Sequence, residues 1–211
     1  MRPRFLLVIA LALCAATSPL FASDHKIPAP KDASTYPCHD AHQADHVVIA
    51  AEPYDTTEKG KLFRVHYVEN GFMPIYLVVT NNGDQPLSLD QARIDFISAA
   101  GERIPAAVPE DVERRMTHLH GPGAPIPLPA PLPPLRRKPK TPDKKIEADF
   151  NDLEYSAVTV PPHSTRAGFL FYDVQGLGPT PLKGARLMLR DLRTSGGKEL
   201  FYFEIPFDKY L

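Results

Sequence analysis

Four metal-ligating side chains crowd one short stretch near the N-terminus: Cys38, His39, His42 and His46, with Asp40 and Asp45 between them. Thiolate and imidazole are ligands suited to Zn or Cu, and a helix over this stretch would put His42 and His46, four residues apart, on one face. The spacing matches no closed zinc motif, and a solvated histidine-rich tail has the same composition. The sequence therefore offers two readings, a Cu or Zn site on Cys38, His39, His42 and His46, or no cofactor at all. His118 and His120 form a sparser pair of the same kind. Cys38 by itself reads as a reactive thiol, an intermolecular disulfide partner or simply an unpaired surface cysteine.

Other chemistry does not assemble from the motifs. No serine stands on a glycine-flanked elbow, and there is no HExxH, phosphate-cradling glycine loop or dinucleotide fingerprint. His163-Ser164 reads as the start of a strand rather than a catalytic pair. Glu110-Asp111, and Glu147 with Asp149, fall on helical turns whose expected state is a solvated face. On this ground the chain is expected to be non-enzymatic.

Between residues 121 and 142 nine of 22 residues are proline. Proline fixes φ and lacks an N–H donor, so this stretch is expected as a stiff polyproline insert rather than a helix or central strand. Pro131-Leu132-Pro133-Pro134-Leu135-Arg136 fits a PxxPxR pattern that docks in aromatic grooves, although a rigid surface excursion accounts for it equally. Arg136, Arg137, Lys138, Lys140, Lys144 and Lys145 make its C-terminal flank basic, suiting an anionic envelope surface or a solvated charge run.

The elements that must position these residues are strands. The chain has 211 residues, 43 % of them hydrophobic, with 24 prolines against 12 glycines. Its net charge of −1 gives no basic field for nucleic acid. At the N-terminus, Arg2 and Arg4 precede the apolar run Phe5-Leu6-Leu7-Val8-Ile9-Ala10-Leu11-Ala12-Leu13, and Leu20-Phe21-Ala22 ends in a small residue before Ser23. This is the pattern of a secretory signal peptide over residues 1–22, with a periplasmic or extracellular destination. An uncleaved anchor fits less well because Ser18 and Pro19 interrupt the run. A lipoprotein on Cys14 fits poorly because Leu13 stands where a small residue is needed. No later stretch is apolar for long enough to span a bilayer. After cleavage only Cys38 remains of the two cysteines, so no internal disulfide can form.

Residues 23–45 read as a flexible polar lead-in, and residues 46–211 as one β-domain. Strands are expected at Val47-Val48-Ile49-Ala50-Ala51 and at Leu62-Phe63-Arg64-Val65-His66-Tyr67, where apolar and polar residues alternate. The next falls at Phe72-Met73-Pro74-Ile75-Tyr76-Leu77-Val78-Val79-Thr80, which meets a hairpin-type turn at Asn81-Asn82-Gly83-Asp84. Ile94-Asp95-Phe96-Ile97 and Arg103-Ile104-Pro105 follow, separated by a turn at Gly101. A helix from Pro109 and the proline-rich insert occupy 109–150. The second half supplies a strand over 155–160 and the most hydrophobic run, Arg166-Ala167-Gly168-Phe169-Leu170-Phe171-Tyr172, expected as a central strand. It continues with Ala185-Arg186-Leu187-Met188-Leu189-Arg190 and a last strand over 199–207, with Phe201, Phe203, Ile205 and Phe207 on one face.

Two stretches carry a resemblance. Val78-Val79-Thr80-Asn81-Asn82-Gly83-Asp84-Gln85-Pro86-Leu87 resembles the strand-turn-strand of small bacterial extracytoplasmic immunoglobulin-like domains. Val160-Pro161-Pro162-His163-Ser164-Thr165-Arg166-Ala167-Gly168-Phe169-Leu170-Phe171 is similar to their later strand. The resemblance implies an uncharacterised secreted bacterial protein: a mainly β, immunoglobulin-like antiparallel sandwich of roughly seven to nine strands. One or two short helices and the long insert would complete it. The function expected from it is a non-catalytic exported binding module for an unknown protein or envelope partner, with the insert as its most distinctive surface. The alternative is the metal-binding protein above.

Overall fold

The computed structural model describes residues 25–119 and 143–211, and the insert expected over 121–142 lies outside them. The order of the strands is best followed from β3, Phe72–Asn81, which is buried along its whole length. A strand buried on both faces needs apolar residues at every position rather than at alternate ones, and this run has them. On one side β3 pairs with β2, Val47–Pro53, and β2 pairs with β1, His39–His42; on the other side it pairs with β8, Ser164–Asp173. This four-stranded sheet is antiparallel throughout, in the order β1-β2-β3-β8.

A second antiparallel sheet has the order β11-β9-β5-β6. It contains β5 (Arg93–Ile97), β6 (Arg103–Pro105), β9 (Arg186–Arg190) and β11 (Phe203–Pro206). A short third ladder joins β4 (Leu87–Ser88) to β7 (Thr159–Val160) and β10 (Arg193–Thr194). The protein is thus mainly β, as expected, with eleven strands among the described residues and few short helices. No helix among the described residues is long and apolar enough to cross a membrane.

Among the described residues there are two cores. One fills the space between the two large sheets and gathers Ile49, Ile75, Leu77, Phe96, Leu187, Leu189, Phe203, Ile205 and Phe207. The other lies on the outer face of the first sheet, around Phe63, Tyr67, Tyr76, Phe150, Phe169 and Phe171. Its cover consists of residues 27–36, the excursion 54–71, α2 (Pro109–Leu119) and α3 (Lys144–Leu153). A third layer therefore stands on what a simple two-sheet sandwich would leave to solvent.

Several expectations change in this frame. The lead-in of 23–45 is not a mobile tail where it is described. Tyr76 donates to the Pro28 carbonyl, the Ala33 N–H donates to Thr80 Oγ1, and His39 to His42 forms an edge strand. Leu62 to Tyr67 is not a strand, although Phe63 and Tyr67 do point inward. Its backbone is held by turns and by the Asp149 carboxylate, which accepts the Arg64 N–H, so no ladder is needed. The turn at Asn81 to Asp84 does not close a hairpin; it carries the chain out of the first sheet into the small ladder. There the Asn81 side chain bonds the Gln85 and Val160 carbonyls and accepts the Gly83 N–H.

β8 is the last strand of its sheet rather than a central one. Its outer edge is covered by chain leaving α3, where the Tyr155 N–H donates to the Phe169 carbonyl, and by the Ala107 N–H, which donates to Phe171. That approach is so close that a Cβ on Gly168 would stand 2.5 Å from Tyr155 Cα. Only glycine fits there. Finally, Phe203, Ile205 and Phe207 are buried as expected, but Phe201 is 70 % exposed. The ladder with β9 begins only at Phe203, paired with Leu189. Leu200, bonded to the Leu192 carbonyl, takes the inward place that strict alternation assigned to Phe201.

Candidate functional site

Because His39–His42 is a strand, the candidate ligands do not share a helical face. Cys38 is buried in the core between the sheets at 1 % exposure. Burial pushes its thiol pKa up, opposed in part by nearby Lys209 and by the backbone of Tyr210 and Lys209. His39 Nδ1 bonds the Tyr36 carbonyl at 2.7 Å. His42 stacks on Phe203, with Asp40 3.6 Å from one ring nitrogen and Asp45 4.0 Å from the other. His46 closes the turn before β2 with φ of 56°. Among the described residues no group of three or more His, Cys, Asp or Glu side chains is placed to hold one metal ion. The strand's period of two sends His39 to the face opposite His42, Cys38 is taken into the core, and His42 lies against Phe203. Of the sparser pair, His118 falls within α2 and His120 lies outside the described residues.

A concave site with a mostly apolar lining is found elsewhere among the described residues, on the outer layer. A cleft of about 430 Å³ opens between α1 (Thr57–Gly60), the following chain and the start of β3. Phe63, Val65, Tyr67, Val68 and Pro74 give it an apolar lining, and Asp55, Lys61, His66 and Glu69 add charged or titratable groups. A mostly apolar concavity with a few polar groups at its edge is the usual form of a binding site, and this volume lies in the usual range.

The lining is held from beneath. Phe63 meets Tyr54, Tyr67, Phe169 and Phe171 edge-on, with ring centroids 5.1 to 6.1 Å apart. Arg64, between the lining residues Phe63 and Val65, turns its guanidinium to Asp149 at 2.9 Å and also bonds Asp152. Asp149 is 0 % exposed and accepts the Arg64 backbone N–H as well. Burial pushes its carboxyl pKa up, and the Arg64 bonds pull it back part of the way. The Tyr67 hydroxyl is buried close to the same carboxylate. Burial first and Asp149 second raise its pKa well above the usual phenol value. α3 and the cleft lining are thus joined through Arg64, which pairs with two α3 carboxylates, the buried Asp149 and the more exposed Asp152.

Asp149 was legible in the sequence only as a surface acid. The pointer that singles it out is its place at helical spacing among Ile146, Phe150 and Leu153, all buried with it. An acid on the apolar stripe of a helix requires a partner. A second hollow, of about 390 Å³, lies at the end of the sandwich, where His46 meets Asn81, Asp84 and Gln85. The 2.6 Å pair of Lys198 with Asp45 belongs to that end, and its lining mixes polar side chains with Ala44, Val47 and Leu87. No protein-family model, curated protein or solved structure matches the chain.

Proposed function

We propose that this protein is a non-catalytic, exported binding module with an immunoglobulin-like sandwich at its centre, and that it engages a partner protein through the cleft beside α1. The observation that carries the reading is the cleft's composition, an apolar lining of Phe63, Val65, Tyr67, Val68 and Pro74 among groups of both charge signs. Such a surface suits an apolar side chain of a protein partner with polar contacts around it. A lipid surface would favour a broader apolar area with cationic flanks. The arginine-rich start followed by an apolar run supports export, and the mature N-terminus is expected at Ser23, readable by N-terminal sequencing.

The test is co-isolation from the envelope fraction of the wild-type protein and of Val68→Asp. Val68 is 39 % exposed, so the substitution charges the cleft without emptying the core. The expected result is a specific partner that is lost with Val68→Asp at unchanged melting temperature. A partner retained at full strength overturns the assignment of the cleft.

A further inference from the structure

The Lys59 ammonium sits in a cage drawn from two stretches of chain, residues 52–55 and Tyr210. Its donors meet Glu52 Oε1 at 2.8 Å, the Pro53 carbonyl at 3.0 Å and the Tyr210 hydroxyl oxygen at 3.3 Å. The ring of Tyr54 lies with its centroid 5.2 Å away and that of Tyr210 at 4.8 Å. The Tyr210 hydroxyl donates its own proton to Asp55, which leaves its oxygen to accept from the ammonium. A primary ammonium has three donors and no acceptor, so all three are satisfied, and the two ring faces add cation–π attraction. With Glu52 and Asp55 both present, the cage holds two carboxylates for one cation.

The walls and the occupant are anchored very differently. Glu52 and Pro53 belong to β2, fixed in the first sheet by its ladder with β3. Tyr210 follows the last turn, which begins at Phe207, a fully buried core residue. Lys59 arrives on α1, a single turn with no buried residue. One i→i−4 bond, from the Gly60 N–H to the Thr56 carbonyl, a cap by the Thr56 hydroxyl on the Lys59 N–H, and i→i−3 bonds from the Lys61 and Leu62 N–H groups to the Glu58 and Lys59 carbonyls hold that turn. So short a helix has almost no stability of its own. Its seat is the cage, whereas the cage stands on the sheets.

We propose that this cage is a recognition site for a primary alkylammonium group and that Lys59 is its built-in occupant, displaced when such a group binds. A quaternary ammonium can lie against the two tyrosines but cannot donate to Glu52 or to the Pro53 carbonyl. The site therefore selects primary amines. Displacement has a second consequence, because Thr56, Thr57 and Gly60 also line the cleft, so the turn that Lys59 anchors borders both sites. The proposal goes beyond the cleft assignment and does not rest on it.

The experiment is a calorimetric titration of wild-type and Lys59→Ala protein with n-butylammonium, with tetramethylammonium as the comparison ion. Lys59→Ala is expected to bind n-butylammonium at least tenfold more tightly than the wild type does, and at least tenfold more tightly than it binds tetramethylammonium. Adding Glu52→Gln should remove that binding. Lysine blocked at both backbone ends, with its ε-ammonium free, and cadaverine, run in parallel, separate a lysine presented by a protein from a free diamine; preference for either supports the cage. Equal binding by wild type and Lys59→Ala, or no preference over tetramethylammonium, overturns it. If Lys59→Ala does not fold by circular dichroism, the Lys59 Nζ resonance of the wild type decides. Movement toward the free-lysine position under saturating n-butylammonium supports displacement, and an unmoved resonance overturns it.

Discussion

The imidazole of His42 stacks on the ring of Phe203, with centroids 3.7 Å apart and planes within 14°. His42 lies on the edge strand of one sheet and Phe203 on the edge strand of the other, so the pair closes one side of the sandwich. Beside it, Asp40 accepts the Glu204 N–H and spares that edge an unpaired donor. Phe203→Ala should cost about 3–5 kcal/mol through lost burial and the cavity it leaves. A double-mutant cycle with His42→Ala should return a coupling of about 1 kcal/mol. Urea denaturation of the four proteins measures both, and zero coupling would show that the stacking contributes nothing.

Gly168→Ala should destabilise the fold although it adds one methyl group. The new Cβ would strike the Tyr155 backbone, which has no rotamer with which to yield. A cost of about 2–3 kcal/mol is expected, lowering the melting temperature by roughly 4–12 °C for a chain of this size. An unchanged melting temperature would mean that the chain leaving α3 does not cover β8.

Asp149 gives a pH signature with a defined sign. Its folded pKa is raised by burial, so the folded state holds that proton more tightly than the unfolded chain does. Its contribution to stability is therefore most favourable below the unfolded value of about 4 and declines as pH rises through the folded value. The stability of the wild type minus that of Asp149→Asn should fall over this window and then level off. Denaturation midpoints of the two proteins from pH 3 to 7 report it, and a difference that rises with pH contradicts the buried setting.

His46 stands at φ of 56°, a left-handed conformation that favours glycine. His46→Gly should match the wild type or gain up to about 1 kcal/mol. His46→Val should lose about 1–3 kcal/mol, because a β-branched residue resists that backbone. If both variants lose stability equally, the side chain rather than the backbone decides the position.

The rings of Phe201 and Tyr202 meet at a tilt of 34° outside the core, with centroids 4.4 Å apart. Phe201→Ser should change stability by less than about 0.5 kcal/mol, against the large cost of Phe203→Ala two residues on. A loss of several kcal/mol would restore Phe201 to the inner face that alternation assigned it.

The strands that proved legible were those whose pattern is dictated by their own neighbours. Phe72–Asn81 reads as a doubly buried strand because nearly every position is apolar, and Arg186–Arg190 alternates because one face meets the core. Leu62 to Tyr67 alternates as well, yet forms no ladder, because the acceptor for Arg64 comes from a helix 85 residues later. The cleft lining was visible only as that supposed strand. The buried acid beneath it was visible only as one of many surface charges, since nothing local names Arg64 as the partner of Asp149.

By itself the sequence determined the mainly β character, the start of α2, and an inward face containing Phe203, Ile205 and Phe207. These follow from backbone propensity and from hydrophobic periods of two or 3.6, which act within a few residues. Tertiary structure alone decided that the first sheet has a second covered face and that Cys38 enters the core while His42 closes an edge. It also decided that Lys59 finds two tyrosines and a carboxylate. Each depends on chain segments up to about 150 residues apart meeting in space, and local periodicity carries no information about which distant segment will supply the partner.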